Sequence, residues 1–153
     1  MKRMTLLLAV LLTAFNVIAQ TPASSLVEQY KEEKGARNFV ARGILMRVAR
    51  QMMKEYTIAP LAHKVEAVSV LRMDKASDSV KLRFQNDLHK VLSTYMYAGK
   101  SQTNRGVIDA YVHLASPHVA DELIVYNPKI KALYSLTGTF TEEELLKIQN
   151  PVE

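Results

Sequence analysis

Along residues 65–92 the spacing of apolar positions switches from the two-residue period of a strand to the three-and-four spacing of a helix. Val65, Val68, Val70, Leu71 and Met73 form a β-branched-rich run. Val68 and Val70 point one way, and Ala67, Leu71 and Met73 the other. A strand apolar on both faces belongs inside a sheet rather than at its edge. The run stops at Asp74, and Ser77 then offers a hydroxyl to the orphan amides of a helix start, with Asp78 in its positive first turn. Val80, Phe84, Leu88, Val91 and Leu92 follow as one stripe, which predicts a helix laid on a sheet, with Lys81, Arg83, Asp87 and Lys90 toward water.

The same reading runs outward from this centre. Residues 20–24 read as a polar linker. A short helix is expected over 25–34, with Ser25 and Glu28 as a capping box and Gly35 as its stop. A brief extended piece at 38–41 leads to a second helix over 44–53, whose stripe is Ile44, Leu45, Val48, Ala49, Met52 and Met53. Beyond the central helix, strands are expected at 95–98, 107–114, 120–127 and 130–137, with 99–106 and 116–118 as turns. Thr141 and Glu144 form a capping box for a closing helix, and Phe140 is placed to staple Leu145. The fold class is α+β: one domain over 25–150, with about five largely antiparallel strands and about four helices.

Residues 1–19 carry Lys2 and Arg3 ahead of an apolar run and end in Val17, Ile18 and Ala19. This is the three-part pattern of a cleavable signal peptide, too short to span a bilayer comfortably, with the cut between Ala19 and Gln20. The expected address is the periplasm, with secretion or outer-membrane association as alternatives. The chain has no cysteine, so neither a lipid anchor of the lipoprotein kind nor a disulfide is available. Loss of Lys2 and Arg3 lowers the formal charge from +5 to +3, and an exported chain with so mild a balance gives no argument for nucleic acid.

Three stretches together resemble a known family: YKEEKGA at 30–36, the strand ending in Asp74, and LTGTFTEEEL at 136–145. The chain is similar, over 25–148, to the small exported proteins of Gram-negative bacteria grouped as domain of unknown function 4252. The resemblance implies an exported single α+β domain with no established activity, and it carries over no functional residues.

The chemistry on offer is sparse. No nucleophile elbow, phosphate-cradling glycine loop or paired His–Glu helix motif occurs, and Ser69 has no histidine near it in sequence. His113 and His118 flank a turn, with Asp109 and Asp121 close by, which keeps a hydrolase or metal-dependent enzyme as an alternative. Zinc wants three or four ligands in a tetrahedral array, and this spacing is too loose to supply them. No cofactor is expected. The leading reading is a non-catalytic binding domain. Strand alternation sends Tyr111 away from Ile108, Ala110 and Val112. If Tyr95, Tyr97 and Tyr126 align with it, one sheet face carries an aromatic platform for an envelope protein or a glycan. Helices covering that face would instead make those tyrosines core. A second alternative lies in the stretch between Glu33 and Glu55, which has no acidic residue. Arg47, Arg50 and Lys54 share one helix face there and could dock on an acidic partner or an anionic membrane surface, although plain solvation is the commoner outcome for such a face. Asp78-Ser79-Val80 also matches a short O-glycosylation triplet, and Ser79 serves equally as a first-turn helix residue.

Overall fold

The strand and helix predicted over 65–92 form β2 (Val65–Arg72) and α3 (Asp78–Leu92) in the computed structural model, which describes residues 21–54 and 59–149. Ser77 is the N-cap of α3, its hydroxyl accepting from the Val80 amide at 3.4 Å. Phe84, Leu88 and Leu92 are buried along the predicted stripe, while Val80 and Val91 pack at its margins.

Six strands, not five, make one antiparallel sheet. They are β1 (Arg37–Arg42), β2, β3 (Met96–Thr103), β4 (Gly106–Ser116), β5 (Val119–Asn127) and β6 (Ala132–Thr141), in the order β1-β2-β6-β5-β4-β3. The brief extended piece at 38–41 is thus a full edge strand, paired with β2 from Arg37↔Arg72 to Arg42↔Ala67. Most of 99–106 is strand as well. Lys100, Ser101 and Gln102 lie on an exposed edge, so no apolar alternation marks them. Only Asn104 and Arg105 turn, held by the Thr103 hydroxyl, which donates to the Gly106 carbonyl at 2.7 Å and accepts from the Arg105 amide at 3.2 Å. β6 runs past residue 137 because Gly138 leaves room for the Lys64 carbonyl, which would lie 2.3 Å from an added Cβ.

The first helix, α1 (Pro22–Tyr30), begins inside the stretch expected to be linker. Thr21, not Ser25, is its cap, accepting from the Ser24 amide at 3.2 Å, and Pro22 occupies the first helical turn, where its missing N–H costs nothing. The second helix, α2 (Ile44–Met53), has the expected bounds. A 3₁₀ turn, Ala59–Lys64, leads into β2. The closing helix, α4 (Glu142–Gln149), carries the predicted capping box, with Glu144 accepting from the Thr141 amide at 2.9 Å and Thr141 from the Glu144 amide at 3.3 Å.

Helices cover both faces of the sheet. On the front, α1 and α3 bury Leu71, Ile124, Tyr126 and Leu133. The two helices are joined by Tyr30, whose ring meets Phe84 edge-on at 5.3 Å and whose hydroxyl donates to Asp87 at 2.7 Å. On the back, α2, the 3₁₀ turn and α4 gather Ala41, Met46, Leu61, Val65, Leu136 and Phe140. The leader and its cut between Ala19 and Gln20 lie outside the described residues.

Candidate docking surface

The front face does not leave a four-tyrosine platform open. Tyr126 is 8% exposed and Tyr95 also 8%, both inside the core that α1 and α3 close. Two helices carrying Ala23, Leu26, Val27, Tyr30 and Phe84 need an apolar floor, and these rings provide it. Burial raises the titration of Tyr126. Tyr111 is half-buried against the same core. Only Tyr97, on edge strand β3, is open, at 51%. Its ring meets Tyr111 at 5.3 Å and its hydroxyl donates to Asp109 at 3.2 Å.

Beneath α1 the front face holds a polar cluster that pattern reading misses. Glu122 is fully buried and accepts hydrogen bonds at 2.5 Å from both the Tyr95 hydroxyl and the Ser135 hydroxyl. The Tyr95 oxygen in turn accepts from the Ala23 amide in the first turn of α1 at 3.1 Å. Burial, reinforced by the Glu122 carboxylate, pushes the Tyr95 hydroxyl well above the ordinary tyrosine range. Through the Ala23 amide on Tyr95 this cluster ties the first turn of α1 to the sheet. The neighbouring cleft, lined by Ser24, Val27, Arg42, Ser69, Ser135 and Thr137, has a volume of about 60 Å³. That admits a few waters, against the roughly 300 Å³ that small-molecule sites begin at.

The histidines do not converge. His113 meets Asp121 at 2.6 Å, His118 meets Glu142 at 3.2 Å, and Asp109 is taken by Tyr97. His113 rests against the Tyr95 ring at 5.1 Å, whose hydroxyl is committed to Glu122. Among the described residues no group of three or more His, Asp or Glu side chains is arranged to hold a metal ion. Ser79 is exposed, its hydroxyl 3.2 Å from that of Ser77.

The open surface is on α2. Of ten residues, seven are apolar, more than a single contact with the sheet can cover. Only Met46 and Met53 are buried there, with Ala49 packed at the margin. Ile44, Leu45, Val48 and Met52 are 79, 54, 63 and 64% exposed. The stripe expected to face the core is therefore split, one margin inward and the rest toward solvent. The cause lies on the basic side. The Arg50 guanidinium turns inward and donates twice to the Val65 carbonyl, at 3.2 and 2.8 Å, which rolls the helix toward its polar flank. Arg47 and Lys54 stay exposed, so the three basic residues of this helix do not act as one face. Phe39 lies on the same side of β1 as the buried Ala41 and is 55% exposed.

Among the described residues no helix is long and apolar enough to cross a membrane. Comparison of the chain with family models, with curated proteins and with solved structures finds no match in any of the three.

Proposed function

We propose that this chain is a non-catalytic docking domain of the bacterial cell envelope, exported by its leader, which engages its target through the outward side of α2. The observation that carries the reading is the exposure of Ile44, Leu45, Val48 and Met52 on one helix, beside Arg47 and Lys54. Singly exposed apolar residues are ordinary, whereas four on ten residues of one helix make a patch that water penalises until something covers it. The absence of cysteine permits a clean test. In native envelope fractions, a maleimide should modify Val48→Cys severalfold more slowly than it modifies the purified variant. Leu82→Cys, at a 60% exposed site on α3, should react alike in both. Equal rates for Val48→Cys in envelope and in buffer would remove the reading.

A second reading rests on Tyr97. An exposed ring backed by Tyr111 and Asp109 has the aromatic-plus-carboxylate chemistry that suits a glycan or a protein loop. It would be favoured if Tyr97→Ala, and not Val48→Ser, releases the protein from its envelope partner.

A further inference from the structure

Resting on that reading of α2, we infer that its target is the surface of an anionic lipid bilayer, with α2 lying in the interface rather than crossing it. A ten-residue helix is about 15 Å long, half the hydrocarbon thickness, so it can lie in a membrane but cannot span one. At 3.6 residues per turn, Ile44, Val48, Met52 and Leu45 fall within an arc of roughly 100°. Gln51, Arg47 and Lys54 follow on one flank of that arc, starting roughly 20° beyond Ile44. Met46 and Met53, on the far side, are the pair fixed to the sheet. The apolar arc thus points away from the body of the domain, and the cations sit at its border. This is where long basic side chains reach phosphate headgroups while their stems run along acyl chains.

The electrostatics around the helix select an anionic surface. α2 has no acidic residue, and Arg47 and Lys54 have no partner among the described residues. The elements packed against α2 are β1, β2 and the 3₁₀ turn. β1 and the 3₁₀ turn contain no acid and contribute Arg37, Arg42, His63 and Lys64, while β2 contributes Glu66 alone among acids. Lys64 is held by Glu144, and Arg37 by Asp74. A second copy of this chain is a poorer occupant. It would bring two sets of Arg47 and Lys54 together, and four or five apolar side chains fall far short of the 20–30 residues per side that a stable dimer uses.

The test uses the chain purified from its host in processed form. Vesicles containing about one-third phosphatidylglycerol should sediment the protein, and pure phosphatidylcholine vesicles should do so at least about tenfold less well. Leu45→Ser with Val48→Ser should abolish sedimentation. Arg47→Gln with Lys54→Gln should weaken it by about tenfold or more and flatten its salt dependence. All four positions are exposed, so unchanged thermal unfolding of the variants controls for folding. The chain has no tryptophan, so Val48→Trp supplies a lone reporter whose emission should shift to the blue on anionic vesicles, while Leu82→Trp should not respond. Sedimentation that ignores the Leu45/Val48 change, or no sedimentation on either lipid, overturns the inference. If vesicles fail while Val48→Cys is still protected in the envelope, the docking surface stands and its target is a protein. If that protection is absent too, both readings fall.

Discussion

Tyr95 and Glu122 meet at 2.5 Å inside the front face, and through the Ala23 amide on Tyr95 they fix the start of the first helix to the middle of the sheet. Tyr95→Phe strips the buried Glu122 of one donor and Ala23 of its acceptor. The expected cost is about 1–3 kcal/mol in urea unfolding. A loss below about 0.5 kcal/mol would mean that the carboxylate is satisfied in some other way.

The roll of α2 makes an unusual demand on neighbouring apolar residues. Met46→Ala should destabilise by about 2–5 kcal/mol, because it empties a fully enclosed site. Val48→Ala, two residues on, should change stability by no more than about 0.5 kcal/mol. The reverse order in equilibrium unfolding would place the helix the other way round.

Stability should fall on the acid side. Asp74 is held below its ordinary value chiefly by the Arg37 guanidinium, Asp87 by the Tyr30 hydroxyl and Glu144 by the Thr141 amide. Each folded form therefore binds its proton less readily than the unfolded chain does. The stabilisation is present above the ordinary values of 3.8 and 4.5 and is lost as pH falls through the lower folded ones. Denaturant midpoints should drop between about pH 5 and pH 2, and Tyr30→Phe should make that drop smaller. A flat profile, or one unaltered in Tyr30→Phe, would contradict the assignment.

Gly35 tolerates no side chain. Its φ is +86°, and an added Cβ would lie 2.2 Å from the Lys75 carbonyl oxygen. Backbone is on both sides of that contact, so nothing flexible can yield. Gly35→Ala should cost about 2 kcal/mol or more, read as a lowered unfolding temperature. An alanine variant as stable as the parent would mean that the turn and the loop after β2 do not touch.

What could be read from the sequence divides by the range of the forces involved. The Ser77 and Thr141 caps and the Phe84 stripe were legible because each is decided within one or two helical turns. Thr21 displaced Ser25 as a cap because Pro22 favours a helix start, a local cue that the Ser25–Glu28 pattern outweighed in the reading. The start of β3 was legible at 95–98, but its continuation to Thr103 was hidden because an edge strand of Lys, Ser and Gln need not alternate. The exposed stripe of α2 was not legible, since the Arg50–Val65 bond and the fit of Met46 on the sheet set the roll, and both depend on β2. Glu122 reads as a solvent residue until Tyr95 and Ser135, 27 and 13 positions away, close around it.

The strand order imposes a timetable on the chain. β6 is bonded to β2 on one side and to β5 on the other, so the first strand pair reaches the rest of the sheet only through the last strand made. A chain that emerges N-terminus first, from a ribosome or a translocation pore, carries β2 with one long edge unmatched until residues 132–141 arrive. During that interval the apolar floor meant for α1 and α3 lacks Leu133, and the back face lacks Leu136 and Phe140. The sheet therefore stays in two pieces until β6 has emerged. Truncation before residue 132 should yield a sticky fragment with two unpaired strand edges rather than a smaller stable domain.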